Sequence, residues 1–198
     1  MLVFLGLSIL MGIVYKPRLN MYWSTDQVYK TTIFRDTMAR DHFLLLLRFL
    51  HFADNDHLDV RDPNHDRLFK IRAFVNAVRA RCATVYSPSR DLCVDESLVL
   101  FKGRVAFKQF IRTKRARFGI KFFELCTSNG ILLNFMIYHG KMSELFSDPQ
   151  CDLLTSEKIP VTLIQRYLKM GHQLFLDNYY TTPTLAVSDG ERHKTCPT

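Results

Sequence analysis

The spacing of apolar residues changes near Pro88, and this change restricts the fold more than any other feature. Before Pro88 apolar residues recur at helical spacing, and the stretch Leu68 to Tyr86 has the clearest stripe: Leu68, Ile71, Val75, Val78 and Cys82. After Pro88 they form short runs of strand length. The pattern predicts an α/β protein with a helical portion over residues 1–87 and a mixed domain over residues 88–187.

Two apolar segments of the N-terminal half predict buried helices. Met1 to Val14 lacks the basic start of a signal peptide, is too short to span a bilayer, and ends at the Lys16-Pro17 break. A chain that begins inside such a helix is expected to have lost sequence upstream. Arg40 to Phe52 is apolar almost all round, as a buried helix would be.

The second half alternates strand and helix signals. Phe118 to Cys126 and Ile131 to Tyr138 flank the pair Asn129-Gly130, which is a strong hairpin signal. Pro160 to Met170 predicts a helix with proline in its first turn, and Gln173 to Leu176 predicts a buried strand. A further helix is expected from Thr182-Pro183 to about Val187.

Zinc or calcium sites of familiar spacing are absent from the sequence. The five cysteines form no CxxC pair and no Cys/His cluster, which fits reduced thiols. The segment Ala53 to Arg67 is rich in Asp and His, but its spacing matches neither an EF-hand loop nor HExxH. A solvated polar loop is the favoured interpretation of that segment.

Asp95 and Asp177 each follow a predicted hydrophobic strand, Leu92 to Val94 and Leu174 to Leu176. A carboxylate at a strand end lies at the rim of the sheet, and two that converge can bind Mg²⁺ or Mn²⁺ through oxygen. Such ions support phosphodiester displacement. On the residues alone, however, a role as turn former or helix cap is the more common one for such acids.

Basic residues are concentrated in one segment. The chain has a net charge of +8, and the stretch from 102 to 121 holds eight cations and no acid: Lys102, Arg104, Lys108, Arg112, Lys114, Arg115, Arg117 and Lys121. This excess favours nucleic acid over membrane as the partner, through phosphate contacts. The alternative is a solvated loop whose aromatic residues, Phe107, Phe110 and Phe118, belong to the core.

Several motifs together resemble the piggyBac-type transposases. Val94 to Arg104 resembles the first-aspartate block of that family, and Lys114 to Lys121 is similar to the block that follows it. Leu176 to Thr182 matches the second-aspartate pattern of Asp-Asn-aromatic-aromatic-Ser/Thr. Upstream segments around Tyr22-Trp23-Ser24 and Arg48 to Phe52 are similar to the N-terminal portion of the family. The blocks occur in family order up to about Leu185.

The resemblance implies an RNase H-like catalytic core with a mixed sheet, incomplete at its C-terminus. It implies metal-dependent cut-and-paste transposition at TTAA, with Asp95 and Asp177 as the first two of three catalytic, metal-binding acids. Glu96 and Asn178 lie beside them, with no ligand role assigned. The expected cofactor is Mg²⁺ or Mn²⁺, and the expected partner is double-stranded DNA, including transposon ends. A homodimer is compatible with the resemblance, no membrane association is expected, and the expected location is the nucleus.

The sequence also departs from the family. The third acid is missing, because the family places it well downstream of the second, and residues 188–198 form a divergent tail. These departures predict little or no catalysis by this chain alone. A domesticated, non-catalytic DNA- or chromatin-binding module is therefore the alternative function. A basic RNA-binding domain is disfavoured, because no RNP-type aromatic motif or GXXG loop occurs.

Overall fold

A computed structural model describes residues 1–57, 62, 65–112, 117–140 and 153–182 of the chain. The predicted helix from Thr182-Pro183 to Val187 therefore lies almost wholly outside the described residues, as do Lys114 and Arg115. The chain divides into two compact units, Met1–Phe52 and Ala53–Thr198.

The first unit is helical and is built around an aromatic core. Its elements are α1 (Leu2–Ile13), a 3-10 turn (Leu19–Trp23), α2 (Thr32–Thr37) and α3 (Arg40–Phe49). The buried side chains of this core are Phe4, Leu7, Tyr22, Phe34 and Phe43. The rings of Tyr22 and Phe34 lie 4.6 Å apart, and the Trp23 indole donates a 2.7 Å hydrogen bond to the carbonyl of Met38. Trp23 is thus part of this core, as an aromatic anchor with a satisfied polar group.

The two apolar N-terminal segments do form helices, but the expectation that they are buried helices is wrong. In α1 only Phe4 and Leu7 are buried, and in α3 only Phe43 is buried. Each helix buries only the side that meets the aromatic core, so large apolar residues such as Ile9 and Leu45 remain exposed. No helix in the described part of the chain is long and apolar enough to cross a membrane.

The second unit contains a five-stranded mixed sheet. Its strands are β1 (Asp91–Leu100), β2 (Gln109–Phe110), β3 (Phe118–Thr127), β4 (Leu132–Ile137) and β5 (Gln173–Leu176). Strand β3 pairs antiparallel with three strands, β1, β2 and β4. Strand β5 pairs parallel with β1. The predicted hairpin is confirmed as β3 and β4, and Gly130 in its turn has a φ of 79° that glycine adopts readily.

Helices cover both faces of this sheet. Helix α4 (Phe69–Val85) contributes Val75 to one core, which also contains Phe135 and Ile137 of β4. Helix α5 (Thr155–Ile164) contributes Ile159 and Leu163 to a second core. Side chains of β3 alternate between the two cores, as a strand with two covered faces requires.

Helix α5 begins earlier than the sequence predicts. It starts at Thr155, so Pro160 lies inside the helix rather than in its first turn, and a 3-10 turn over Gln165–Tyr167 follows. The backbone N–H of Leu154 donates a 2.8 Å hydrogen bond to the carboxylate of Glu157. This bond satisfies a backbone donor at the start of the helix, which explains why the helix begins there.

Candidate active site and nucleic-acid interface

Strand β1 is continuous through Asp95, so the expectation that Asp95 follows a short strand is wrong. What ends near Asp95 is the pairing with β5, because the last register pair of β1 and β5 is Val94 with Leu176. Asp95 is the next residue of β1, and Asp177 directly follows β5. Since paired strands lie about 4.8 Å apart, the structure brings the two predicted acids together at the end of this parallel ladder.

The carboxylates of Asp95 and Asp177 have the same local geometry. Both residues are exposed. Each carboxylate accepts a hydrogen bond from the backbone N–H of the following residue, at 2.7 Å from Glu96 and at 2.6 Å from Asn178. Within the described ranges neither carboxylate forms a salt bridge. Two adjacent, exposed anions without a cationic partner there favour binding of a cation.

Tyr180 connects the turn after Asp177 to strand β1. Its side chain is fully buried, and its hydroxyl donates a 3.1 Å hydrogen bond to the carboxylate of Glu96. Burial raises the pKa of the Tyr180 phenol, and the nearby carboxylate of Glu96 adds to the rise. The Lys121 ammonium lies 3.8 Å from the same carboxylate. A hydrogen bond therefore links Glu96, which follows Asp95, to Tyr180 in the turn that follows Asp177.

Glu157 extends this connection to helix α5. It is a buried carboxylate that accepts hydrogen bonds from the Leu154 N–H and from the Thr182 hydroxyl. The segment after β5 is thus held at Tyr180 and again at Thr182. Sequence reasoning missed both Tyr180 and Glu157 as site supports. For Glu157 a signal existed, because a glutamate in the first turn before an apolar run is typical of a capping residue.

A third carboxylate, Glu124, lies beside Asp95 on β3, where the two are register partners. The Ser97 hydroxyl donates a 2.6 Å hydrogen bond to Glu124. The described ranges contain no group of three His, Cys, Asp or Glu residues arranged to hold a metal ion. The oxygen donors of Asp95 and Asp177 fit a hard divalent cation, but the described residues provide no complete ligand set for it.

The predicted DNA-binding cations divide into two groups in the structure. Lys121 is engaged with Glu96, and its ammonium lies 4.7 Å from the centre of the Phe123 ring. Lys108 is partly buried and donates a 3.0 Å hydrogen bond to the Gly103 carbonyl. The remaining described cations of the segment are exposed to solvent: Lys102, Arg104, Arg112 and Arg117.

The aromatic residues of this basic segment also divide. Phe107 is buried in the core beneath α4, as the core interpretation predicts. Phe110 and Phe118 are instead exposed, and their rings lie 4.7 Å apart. The interpretation of these residues as core is therefore correct only for Phe107.

Residues 1–192 match a family model described as Transposase IS4. The chain belongs to the Transposase IS4 family. The resemblance to piggyBac-type transposases is also confirmed by similar proteins. PiggyBac transposable element-derived protein 3 of Homo sapiens is 35% identical over 138 residues, which cover 70% of this chain and 23% of that protein. PiggyBac transposable element-derived protein 2 of Homo sapiens is 30% identical over 186 residues, covering 91% of this chain and 30% of that protein.

A solved structure shares the fold of this transposase-family chain. It is a cryo-EM structure of the piggyBac transposase synaptic complex with hairpin DNA, with a TM-score of 0.75 and 25% sequence identity. The match covers 94% of this chain and 38% of that one. This chain spans less than a third of the length of each of these two human proteins.

Proposed function

We propose that this chain binds double-stranded DNA and carries two acids of a transposase active site, Asp95 and Asp177. The observation that carries the proposal is their position as adjacent residues at the end of the β1–β5 ladder. Family membership and the likeness to a transposase–DNA complex support the same function. Transposon ends and the TTAA target are the proposed DNA sequences, with the nucleus as the proposed location and a homodimer as the proposed assembly.

The topology supports an RNase H-like core. Three antiparallel strands, β1, β3 and β4, with the short β2 between the first two along the chain, are followed by helix α5 and then by β5, which is parallel to β1. A parallel pair requires such a crossover connection, and here the crossover includes a helix. Asp95 then lies on β1, and Asp177 lies directly after β5, the strand that pairs parallel with β1.

The residues of this chain suit a hard cation, Mg²⁺ or Mn²⁺, held by the carboxylate oxygens of Asp95 and Asp177. When bound, such ions supply Lewis-acid activation of the attacking oxygen and stabilise the leaving oxygen. The backbone N–H groups of Glu96 and Asn178 orient the two carboxylates. Tyr180 fixes the turn that carries Asp177 relative to β1.

A domesticated DNA- or chromatin-binding module without catalysis is the second candidate. It is favoured by one observation, that the described residues contain no group of three ligating side chains that could hold a metal ion. Two carboxylates hold a metal pair weakly, so we expect nicking by this chain to be weak or undetectable. DNA binding through the exposed cations does not depend on the acids.

The proposal is tested by Mg²⁺- or Mn²⁺-dependent nicking of a TTAA-flanked transposon end by the purified chain. The test variant is Asp95→Asn/Asp177→Asn, and Asp91→Asn is the matched control because it lies at the opposite end of the same ladder. Any metal-dependent nicking is expected to disappear in the double variant, because it removes both carboxylates of the proposed site. Nicking should persist in the control, because Asp91 lies outside that site.

Three outcomes separate the candidates. Nicking that the double variant loses establishes an active site that requires Asp95 and Asp177. Salt-sensitive duplex binding without nicking supports the non-catalytic module. Absence of duplex binding at low salt would contradict the proposed function in both its forms.

A further inference from the structure

Phe110 and Phe118 form an aromatic pair on the surface of the second unit. They are register partners of β2 and β3, and their rings meet at an interplanar angle of 41°. Such a cross-strand pair stabilises the pairing of β2 with β3. However, the two residues remain 57% and 53% exposed, and neither belongs to the buried cores of the unit. Packing within the fold therefore leaves much of both rings in contact with water.

Cations lie near this aromatic pair, one in space and two along the chain. The Lys108 ammonium lies 6.0 Å from the centre of the Phe118 ring, and the exposed residues Arg112 and Arg117 are close to the two phenylalanines along the chain. No acidic residue occurs between residues 102 and 121. A partner for this surface must therefore present a flat apolar group together with negative charge.

An exposed phenylalanine beside a single cation is not by itself such a binding surface. Phe49 is 66% exposed and has the Arg48 guanidinium 5.8 Å from its ring centre. It is not part of an aromatic pair in the described part of the chain, and it lies outside the basic segment. Phe49 is consequently a matched control for the general effect of an exposed phenylalanine.

An unpaired nucleotide has the required chemistry, because its base is a flat ring and its phosphates are anionic. Aromatic side chains bind unpaired bases by stacking, while neighbouring cations track the backbone. In a paired duplex the base faces are covered by their neighbours and cannot stack on protein. We propose that Phe110 and Phe118 form a stacking surface for an unpaired base of bound DNA. This inference rests on the proposed DNA binding and adds a preference for DNA with unpaired bases.

The test compares two probes that differ only in a bulge of unpaired thymines within otherwise identical duplexes. Affinities are measured by fluorescence anisotropy at one low salt concentration with the full chain. We expect the chain to bind the bulged duplex about fivefold to 150-fold more tightly, which is the range of stacking on one base. Phe110→Leu/Phe118→Leu should reduce this preference to less than about twofold, with affinity for the paired duplex retained. Phe49→Leu should keep the preference.

A second variant guards against misfolding of the leucine double variant. Phe118→Trp keeps a stacking ring, so it should retain the preference, and its added indole emission should be quenched by the bulged probe but not by the paired one. Equal affinity of the unaltered chain for both probes would overturn the stacking surface and leave the proposed DNA binding intact. Loss of the preference in Phe49→Leu would also overturn it. Failure to bind either probe would overturn both.

Discussion

The hydroxyl of Tyr180 joins two segments that are distant in sequence and adjacent at the candidate site. It donates to Glu96, which directly follows Asp95, while Tyr180 itself lies three residues after Asp177. The ring is buried against Phe123, 6.5 Å away between ring centres, so the hydroxyl is aimed by packing. At the scale of single residues, we expect the spacing of the two acids to depend on the hydrogen bond between Tyr180 and Glu96.

Replacement of Tyr180 by phenylalanine tests this connection. The Tyr180→Phe variant keeps the buried ring and removes only the hydrogen bond to a carboxylate, so we expect it to lose about 1.5–3 kcal/mol of unfolding free energy. Urea denaturation measures the loss. Tyr179→Phe is the matched control, because Tyr179 is 59% exposed and should change stability little. Equal effects of the two variants would contradict the role of the Tyr180 hydroxyl.

The Asp66 carboxylate provides a test of pH dependence. It accepts two 2.7 Å hydrogen bonds from the Arg72 guanidinium, and these bonds hold the pKa of Asp66 below its usual value despite partial burial. A carboxylate with a lowered folded-state pKa stabilises the fold above the unfolded value of about 3.9 and loses that effect as the pH falls through the folded value.

We therefore expect Asp66→Asn to lower the unfolding free energy by about 1.5 kcal/mol at pH 7. The difference from the unaltered chain should shrink as the pH falls below about 4 and through the lowered folded-state pKa of Asp66, because protonation then removes the charge of the carboxylate. Urea denaturation at pH 7 and at pH 3 measures both values. A difference that stays constant over this range would show that the ion pair with Arg72 is not its origin.

At the scale of elements, the approach of β1 to β3 depends on Gly119. It is the register partner of Leu100, and a Cβ atom placed there would meet the carbonyl oxygen of Val99 and lie 2.9 Å from the Leu98 side chain. The backbone of β1 cannot move away without breaking its ladder with β3. A glycine is required at this position by space rather than by its φ angle.

The Gly119→Ala variant is expected to lose about 1–3 kcal/mol of unfolding free energy through overpacking. Thermal or urea denaturation measures the change. Gly6→Ala is the control, because no atom lies within 4 Å of the Cβ built there and alanine favours the helix. The control should be neutral or slightly stabilising. An unchanged stability of Gly119→Ala would mean that the strands separate at little cost.

At the scale of the whole molecule, the charge of the chain is concentrated on one part of the sheet-containing unit. The net charge is +8, and the exposed cations Lys102, Arg104, Arg112 and Arg117 all belong to one short segment. If this segment contacts phosphates, each contact releases a condensed counterion, and the affinity falls steeply with salt.

Removal of two charges from the segment should therefore lower the salt dependence of duplex binding. We expect Lys102→Gln/Arg104→Gln to reduce the slope of log affinity against log salt by about 2. Lys30→Gln/Arg35→Gln removes the same charge from exposed residues of the helical unit and should leave the slope unchanged. Equal slopes for the two double variants would place the DNA contacts outside the segment 102–121.

Short motifs predict a catalytic role for Asp95 and Asp177, and that role stays a prediction. The sequence by itself determined the mixed α/β class, the hairpin and the position of strand β5, because these depend on local periodicity and turn chemistry, although it predicted a buried β5 and the strand is partly exposed. It failed where distant segments decide the outcome. Whether α1 and α3 are buried depends on what packs against each side, and the continuity of β1 through Asp95 depends on its antiparallel pairing with β3.

Only the tertiary structure placed Asp95 beside Asp177, buried Tyr180 against the sheet and left Phe110 and Phe118 exposed as a pair. Nothing in the sequence distinguishes Phe107 from Phe110, since both are phenylalanines within the same basic segment. The physical reason is that burial and strand register arise from contacts between segments far apart in the chain, whereas local patterns report only the preferences of neighbouring residues.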